Sequence, residues 1–456
     1  MIKLYNTYSK KIEEFKPLKG NKVGMYTCGP TVYDYDHIGH AWNYTTADLL
    51  RRMLEYSGFK VKQVINITDV GHLTSDADTG EDKLEKSSRE LGKTAQEIAV
   101  YFTKIYFENR KKLNLEKPWK IAKATGHIKE MIKLVQVLID KGFAYQISDG
   151  IYFDTSKFPD YGKLSGNTLE SLMEGARVEI NPEKKNPTDF AVWKFSAENS
   201  KRQMEWDAFG KKGFPGWHIE CSAMSMKYLG PTFDIHTGGE DNIFPHHESE
   251  IAQSECATGQ PLANYWFHTR FLMVDGMKMS KSLKNFYTLK DLEEKGYSAM
   301  DLRYLFLQAH YATPINFTWE SLEAAKIARR KLNDFVAGIK SKGKVNNNYK
   351  DKFLEKINDD LDLPGALALV WIMIKDNRVS DFDKKTTLLD FDRVLGLNLA
   401  KQKKEKIPAN VLKLVQDREV ARKEKNWQKS DELRNEIDKL DYIVEDTNQG
   451  SIVRKK

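Results

Sequence analysis

Two short segments of the chain carry side chains suited to binding a polyphosphate. His37-Ile38-Gly39-His40 lies near the amino terminus, and Lys278-Met279-Ser280-Lys281-Ser282 follows about 240 residues later. Imidazoles can contact phosphates, a glycine lets an adenine ring lie on the backbone, and two mobile ammonium groups can balance phosphate charge. Either segment alone would be weak evidence, because short strings arise by chance and basic loops are commonly solvated. In this order and at this distance, they indicate an enzyme that activates its substrate with a nucleotide.

A second set of residues has the types that bind a metal ion. His246 and Glu250 are four residues apart and share one face of a helix that we expect to open at Pro245. With Cys28 and Cys221 they would offer two thiolates, an imidazole and a carboxylate, a donor set that suits Zn²⁺. The two cysteines are too far apart to form a recognisable metal pattern, and a lone cysteine is usually a small buried hydrophobe. The residues by themselves therefore leave both interpretations open.

The elements that must position these residues can be predicted from hydrophobic periodicity. A strand over 22–28, a helix over 40–57 and a strand over 60–67 form a βαβ unit, which is typical of a parallel nucleotide-binding sheet. The first histidine segment lies at the strand-to-helix junction, where backbone N–H groups favour phosphate. After the lysine segment the chain becomes mostly helical, with helical spacing over 319–342, 350–377 and 380–395.

Composition limits the class of protein. The 456 residues are 40% hydrophobic and 11% aromatic, a globular composition large enough for three or four domains. No apolar run is long enough to span a membrane, the amino terminus lacks a secretory pattern, and three cysteines cannot form a disulfide framework. A cytoplasmic protein is therefore expected. A monomer is also expected, because no heptad pattern is present.

Charge alone does not identify a partner. Lys and Arg total 72 against 65 Asp and Glu, and residues 401–456 hold 15 basic against 11 acidic residues. Mixed charge on helices is usually a solvated face, so a nucleic-acid partner needs support from elsewhere.

Longer motifs around these residues resemble cysteinyl-tRNA synthetase, a class I aminoacyl-tRNA synthetase, nearly from end to end. The motifs that carry the resemblance are Thr27–Asp34, His37–His40, Tyr161–Gly166, Asp189–Lys194, Gly216–Met224, Phe244–Glu248, Lys278–Ser282, His310–Tyr311 and, in the tail, Ala421–Arg422, Trp427, Asp431, Arg434 and Glu445–Thr447.

The resemblance implies an α/β fold with a Rossmann-type parallel-sheet catalytic domain, an inserted domain, an all-α helical bundle and a small C-terminal anticodon-binding domain. The implied boundaries are 1–117 and 206–270 for the two catalytic halves, 118–205 for the inserted connective domain, 271–318 for the domain that carries the lysine loop, 319–405 for the bundle and 406–456 for the anticodon-binding region.

The resemblance also implies a reaction and a metal. The substrates would be L-cysteine, ATP with Mg²⁺, and tRNA(Cys), joined through a cysteinyl-adenylate. One Zn²⁺ would be held by Cys28, Cys221, His246 and Glu250, and would select the substrate because zinc is thiophilic and a bound thiol ionises. A hydrophobic pocket could not separate sulfur from oxygen strongly, so the coordination chemistry would make a proofreading domain unnecessary.

The resemblance assigns the remaining site residues to ATP, pyrophosphate and the amino acid. His37, Gly39 and His40 would meet ATP, Lys278 and Lys281 would meet the pyrophosphate, Gly239 and Asp241 would receive adenosine, and Gly29, Thr68 and Trp217 would line the amino-acid pocket. In the tail, Trp427, Arg422 and Arg434 are side-chain types that could stack on or bind anticodon bases, although helix packing explains them equally well.

The chain departs from the family pattern at residues 71–80, which many members lack. His72, Asp76, Asp78 and Glu81 are residue types that bind metals, but an ordinary polar loop is the favoured interpretation of this segment. Shorter departures, at residues 206–214 and at Asn242, affect the expected loop geometry.

Two other functions stay open at the level of sequence. A cysteine:aminosugar ligase of the mycothiol pathway shares the catalytic half but would not need the tail from Trp427 to Thr447. A non-catalytic RNA-binding relative should have lost a loop lysine or a zinc ligand, and neither loss is present.

Overall fold

The amino-terminal unit, Met1–Ala400, is built on a five-stranded parallel sheet. The computed structural model describes residues 1–73, 81–168, 181–197, 202–280, 283, 285–401, 407–447 and 450–455. Its strands are β1 Lys3–Asn6, β2 Lys11–Glu14, β3 Lys22–Thr27, β4 Lys60–Ile67, β5 Lys120–Lys123, β6 Ala144–Ile147, β7 Gly150–Phe153, β8 Phe190–Phe195, β9 Trp206–Ala208, β10 Lys211–Pro215, β11 Phe233–Gly239, β12 Ala263–Thr269, β13 Leu272–Val274, β14 Met277–Lys278, β15 Ile315–Phe317, β16 Tyr442–Thr447 and β17 Gly450–Lys455. Its helices are α1 Ile38–Tyr56, α2 Lys83–Leu91, α3 Ala95–Lys112, α4 Ile128–Asp140, α5 Ile219–Leu229, α6 Glu248–Thr258, α7 Leu289–Glu294, α8 Ala299–Leu307, α9 Trp319–Gly338, α10 Asn347–Asn358, α11 Leu363–Lys375, α12 Asp381–Leu395, α13 Ala409–Lys423 and α14 Trp427–Lys439.

The parallel sheet confirms the βαβ prediction. Strand β3 pairs with β4 in parallel, and α1 connects them; the full strand order is β12-β11-β3-β4-β5. Successive residues of β3 face opposite sides, with Met25 in one hydrophobic cluster and Tyr26 in another. Both faces of the sheet are therefore covered, as parallel sheets require. The carboxyl ends of β3, β4, β11 and β12 consequently meet at one edge, where α/β folds bind their ligands.

A second, antiparallel sheet lies within the chain between the two halves of the parallel sheet. It contains β6 to β10 in the order β6-β7-β8-β10-β9. Its position between β5 and β11 agrees with an insertion into the nucleotide-binding fold. The exact boundaries given above for the inserted domain stay a prediction.

The helical region differs from the sequence prediction at one point. The segment 350–377, where helical spacing was predicted, is helical but is interrupted: it forms two helices, α10 and α11, separated by four residues. Asp360 and Leu361 have positive φ values of 52° and 58°, which ends α10. Pro364 then starts α11, because proline fits the first turn of a helix but not its interior. The helix predicted over 380–395 is confirmed as α12.

A buried ionic network fixes α1 to the helical part of the same unit. The carboxylate of Asp48 on α1 accepts hydrogen bonds from Arg52 at 2.7 Å and from Arg303 on α8 at 2.9 Å, and Arg303 is fully buried. Burial alone would raise the pKa of Asp48, but Arg303 and Arg52 together hold it below its ordinary value. Arg303 also donates to the backbone oxygens of Leu395 and Leu113.

Asp48→Asn is expected to lower the free energy of unfolding by about 3 kcal/mol, because the fully buried guanidinium of Arg303 loses its paired carboxylate and Arg52 keeps only Glu116. Urea unfolding of the full chain measures this change. Glu294→Gln is the matched control, since its ion pair with Lys290 is exposed on both sides and should contribute well under 1 kcal/mol. Equal midpoints for the two variants would contradict a structural role for the network.

The carboxyl-terminal unit, Lys401–Lys456, has its own small core. Helices α13 and α14 and the antiparallel pair β16-β17 bury Val411, Val415, Ile437, Tyr442 and Val444 together. Across both units, each helix in the described ranges is too short or too polar to cross a lipid bilayer.

Candidate active site

One cavity, with a volume of about 470 Å³, opens at the carboxyl edge of the parallel sheet. It brings together residues that are far apart in the sequence, including both cysteines of the predicted metal set and both nucleotide segments. The predicted site residues that line it are Cys28, Gly29, His37, Gly39, His40, Thr68, Trp217, Cys221, Gly239, Asp241, His246, Glu250 and Lys278. Lys281, also predicted, lies outside the described residues.

The histidine segment forms the amino-terminal cap of α1. The Nδ1 atom of His37 accepts the backbone N–H of His40 at 3.2 Å, and Nδ1 of His40 accepts that of His37 at 3.3 Å. The two rings stack with centroids 3.7 Å apart. A Cβ atom at Gly39 would lie 2.8 Å from the ring of His37, so the segment requires glycine there. The junction thus presents two imidazoles at a helix amino terminus, where the helix dipole favours phosphate.

The lysine loop returns to this same junction. Lys278 ends the short strand β14, with its side chain exposed and its Nζ 5.1 Å from the Phe271 ring centroid. Asn285 holds the loop, accepting the N–H of Ser280 at 2.8 Å and donating to the backbone oxygen of Lys278 at 3.2 Å. The N–H of Ile38 donates to the backbone oxygen of Tyr287 at 2.9 Å. The start of the loop and the start of α1 therefore form one wall of the cavity.

The end of β11 forms a tight polar turn. The N–H of Gly239 donates to Oδ1 of Asn242 at 2.9 Å, so this departure from the family pattern has a local structural role. A Cβ atom on Gly239 would lie 2.4 Å from Oδ1 of Asp241. Only glycine leaves Asp241 in its present place on the cavity wall.

The predicted metal set surrounds a compact group of sulfur, nitrogen and oxygen atoms. The thiols of Cys28 and Cys221 are in hydrogen-bonding contact, and both also contact the carboxyl of Glu250. Within the described residues, ligand atoms of Cys28, His236, His247 and Glu250 all lie within 4.8 Å of one another. His236 and His247 were missed as members of this group by sequence reasoning, although His247 follows His246 directly and His236 lies on β11.

The pKa shifts of the side chains in this group favour binding of a cation. The hydrogen bond with Cys221, together with desolvation, raises the pKa of Cys28 well above its usual value, and burial does the same for Glu250. Burial and the neighbouring His236 and His268 lower the pKa of His247 well below its usual value. The thiols and the carboxyl are thus favoured as neutral groups until a positive charge lies among them, and the imidazole is already in the neutral form that binds metals. Two thiols, a carboxyl and imidazoles are the donor types that zinc binds.

The two neighbouring histidines have different surroundings. His247 is fully buried, with Nε2 at 3.2 Å from Sγ of Cys28 and Nδ1 at 2.8 Å from Nε2 of His268. His246 lines the cavity, with Nδ1 at 3.1 Å from Nδ1 of His218 and its ring edge-on to Trp217 at 4.8 Å.

The helix that was expected to open at Pro245 is present, with an irregular first turn. Phe244 is extended, with φ −133° and ψ 133°, because the residue before a proline avoids helical conformation. The helical turn over residues 245–247 continues directly into α6, which begins at Glu248, and both His246 and Glu250 line the cavity.

The predicted amino-acid pocket is held by hydrogen bonds. The N–H of Gly29 donates to Oδ1 of Asn66 at 2.7 Å, and the side-chain amide of Asn66 donates to Oγ1 of Thr68 at 3.1 Å. A Cβ atom at Gly29 would lie 1.8 Å from the backbone oxygen of Asn66, so no other residue fits. Trp217 has the ammonium group of Lys83 3.9 Å from its ring centroid.

The third cysteine, Cys256, is buried on α6 outside the predicted metal set, and burial raises its pKa to about 12.

The second metal considered for residues 72–81 finds no support in the described part of that segment. His72 is hydrogen-bonded to Glu220, and Glu81 is paired with Arg89. Asp76 and Asp78 lie outside the described residues.

Two protein families match the chain. Residues 14–327 match the class I (C) tRNA synthetase catalytic domain, and residues 404–454 match the cysteinyl-tRNA ligase anticodon binding domain. Among solved structures, methionyl-tRNA synthetase of Mycobacterium tuberculosis in complex with methionyl-adenylate has a TM-score of 0.57 at 16% identity, covering 84% of this chain and 93% of that one. At this identity the likeness shows a shared fold.

Curated relatives match over almost the whole chain. Cysteine--tRNA ligase 1 of Burkholderia lata is 46% identical over 452 residues, covering 98% of this chain and 96% of the relative. Cysteine--tRNA ligase of Treponema denticola is 42% identical over 480 residues, covering 98% of each. With a catalytic domain, an anticodon-binding domain and relatives matched end to end, the chain belongs to the cysteine--tRNA ligase family of class I aminoacyl-tRNA synthetases.

Proposed function

We propose that this chain activates L-cysteine with ATP and transfers it to the 3′ end of tRNA(Cys). The observation that carries the proposal is the single cavity in which the two histidines, Lys278 and the two cysteines meet. The cavity therefore combines side chains suited to binding ATP with side chains suited to holding a metal that binds a thiol. The match of the tail to the cysteinyl-tRNA ligase anticodon binding domain supports tRNA as the acceptor.

In the first step, the carboxylate of cysteine attacks the α-phosphorus of ATP, and pyrophosphate leaves. Negative charge builds on the phosphate oxygens, so positioned positive groups and N–H donors should provide most of the catalysis. We assign His37, His40 and the start of α1 to the phosphates, and Lys278 with Lys281 to the departing pyrophosphate. Gly39, Gly239 and Asp241 would receive the nucleoside, with Mg²⁺ accompanying ATP.

In the second step, a hydroxyl of the terminal ribose attacks the carbonyl carbon of the adenylate, and AMP leaves. The carboxylate is already activated as a mixed anhydride, so no protein side chain has to act as a covalent nucleophile. The role of the protein is to hold the two reactants in line. Gly29, Thr68 and Trp217 would hold the amino-acid part during both steps.

Zinc is the proposed resident metal, held by Cys28, Cys221, Glu250 and His246. When bound, it would supply a thiophilic centre that takes the substrate sulfur as a thiolate, which serine cannot match. His246 is taken as the imidazole ligand because the family resemblance assigns it and because it lines the cavity with Cys28, Cys221 and Glu250, which His247 does not. His247 and His236 would then orient the ligands Cys28 and Glu250, the supporting role that residues around a metal commonly have.

The proposal is tested by charging. Purified protein is incubated with labelled cysteine, ATP, Mg²⁺ and total tRNA, and acid-precipitable label is counted. Label on tRNA supports the proposal. Cysteine-dependent pyrophosphate exchange without tRNA label would favour the aminosugar ligase, and loss of both activities would favour an RNA-binding relative. The cytoplasmic location and the monomeric state stay predictions.

Trp427→Ala is expected to raise KM for tRNA about tenfold, because stacking of a base on an aromatic ring contributes about 1–3 kcal/mol. Trp427 is 58% exposed at the start of α14, with the guanidinium of Arg422 6.0 Å from its ring centroid, so packing does not explain it. Cysteine-dependent pyrophosphate exchange should stay unchanged. Trp119→Ala, at a 50% exposed tryptophan of the other unit, is the control. Equal effects of both variants would contradict a specific role.

A further inference from the structure

His72 is a buried residue that the proposed reaction does not yet use. It lies five residues after β4, at the start of the segment that many family members lack, and only 3% of it is exposed. Its Nε2 atom lies 2.6 Å from Oε1 of Glu220, and its ring stacks on Trp217 with centroids 5.5 Å apart and planes 14° apart. His72 therefore contacts Trp217 of the predicted amino-acid pocket without itself lining the cavity.

Glu220 connects His72 to the rest of that pocket. Its carboxylate is fully buried, with Oε1 bound to His72 and Oε2 accepting the hydroxyl of Thr68 at 2.7 Å. From Thr68 the hydrogen bonds continue through Asn66 to the N–H of Gly29. One buried chain of hydrogen bonds thus joins His72 to two predicted substrate-binding residues, and ring stacking joins it to the third.

The backbone around His72 is held firmly. Arg202 pairs with Asp82 at 2.5 Å, both side chains being buried, and it also donates to the backbone oxygen of Gly71. The N–H of Lys83 donates to the backbone oxygen of His72 at 2.8 Å. A Cβ atom at Gly71 would lie 2.1 Å from the Asp82 carboxylate, so a larger residue there would displace this carboxylate from its place beside Arg202. The two hydrogen-bonded residues His72 and Lys83 both contact the ring of Trp217. His72 stacks on this ring, and the ammonium group of Lys83 lies 3.9 Å from its centroid.

We propose that His72 is a positioning residue for the amino-acid substrate. By donating to Glu220 it fixes the carboxylate that orients the Thr68 hydroxyl, and by stacking it fixes the plane of Trp217. A buried carboxylate that loses a donor moves toward another partner, because an unsatisfied buried polar group is costly. Loss of His72 should therefore disturb binding of cysteine while ATP binding is spared, because the contacts of His72 are with Glu220 and Trp217 and not with the residues assigned to ATP. This inference rests on the proposed function.

The test compares His72→Phe, which keeps a flat ring but removes the donor, with His72→Gln, which places an amide donor at similar reach. We expect His72→Phe to raise KM for cysteine about tenfold in pyrophosphate exchange, since one hydrogen bond to a charged group is lost. KM for ATP and kcat should change less than about threefold, a difference too small to mark a lost interaction. His72→Gln should restore most of the affinity for cysteine.

His127→Phe is the matched control for loss of a buried histidine. His127 is also buried in the amino-terminal unit, with ring nitrogens 2.6 Å from the oxygen of Lys123 and 2.7 Å from the hydroxyl of Tyr228. Its loss should lower thermal stability without changing KM for cysteine. If His72→Phe does not fold, His72→Asn, whose amide is too short to reach Glu220, replaces it and should show the same rise in KM.

Two results would overturn the inference. Unchanged KM for cysteine in the folded variants would show that His72 does not position the pocket. If His72→Phe raised KM for cysteine and KM for ATP and lowered kcat by equal factors, and His127→Phe did the same, the role of His72 would be structural alone. If the unmodified chain failed to activate cysteine, the proposed function itself would fail, which separates the two conclusions.

Discussion

Cys221→Ser is expected to lower kcat/KM for cysteine in pyrophosphate exchange by about 10³-fold, equivalent to about 4 kcal/mol of transition-state binding. Cys221 contacts both Cys28 and Glu250 at the base of the cavity. A serine hydroxyl ionises far less readily than a thiol and is a poor zinc ligand, so the variant should lose the metal as well as the activity.

Cys256→Ser is the control for this substitution. Cys256 is the same residue type and is also buried, but it lies outside the cavity, and its raised pKa makes it an inert thiol. It should keep its zinc and an activity within about threefold of the unmodified chain, since a core site distant from the chemistry affects stability first. Full activity of Cys221→Ser with zinc retained would remove Cys221 from the ligand set.

The second large effect is expected at the lysine loop. Lys278→Ala should lower kcat for adenylate formation by about 10²- to 10³-fold, because removing one group that stabilises developing charge has this magnitude. KM for cysteine should change little, since Lys278 is assigned to the pyrophosphate and is not among the residues proposed to hold cysteine. Pre-steady-state formation of pyrophosphate measures the effect directly.

Two further variants make the lysine prediction specific. Lys290→Ala removes an exposed lysine from α7 and should leave kcat unchanged, because its partner Glu294 is also exposed. Lys281→Ala should have an effect at least as large as Lys278→Ala, as the family motif implies. An activity of Lys278→Ala within threefold of the unmodified chain would contradict its assignment to the pyrophosphate.

The local elements around the site could be predicted from sequence because their signals are local. Periodicity was enough for β3, α1 and β4, and the resulting parallel pairing is confirmed. Pro245 was a local signal too: the residue before a proline avoids helical conformation, so Phe244 is extended and the helical turn that leads into α6 begins at Pro245. Pro364 was a signal that the sequence prediction did not use, and it lies in the first turn of α11.

The metal group could not be predicted from spacing alone. Cys28 and Cys221 are separated by most of the first catalytic half and the inserted segment, and only the parallel sheet brings the end of β3 next to α5. The contact between His72 and Glu220 was hidden for the same reason. Long-range polar contacts depend on strand order, which periodicity does not encode, so family resemblance had to supply what the residues left open.

The central claim is that zinc in this cavity binds the substrate sulfur. Zinc K-edge X-ray absorption of the purified, zinc-loaded protein tests it directly, recorded alone, with L-cysteine and with L-serine. We predict two sulfur neighbours in the protein alone, from Cys28 and Cys221, three with cysteine, and two with serine. A sulfur count that cysteine does not change would contradict the account, because selection of the substrate would then not take place at the metal.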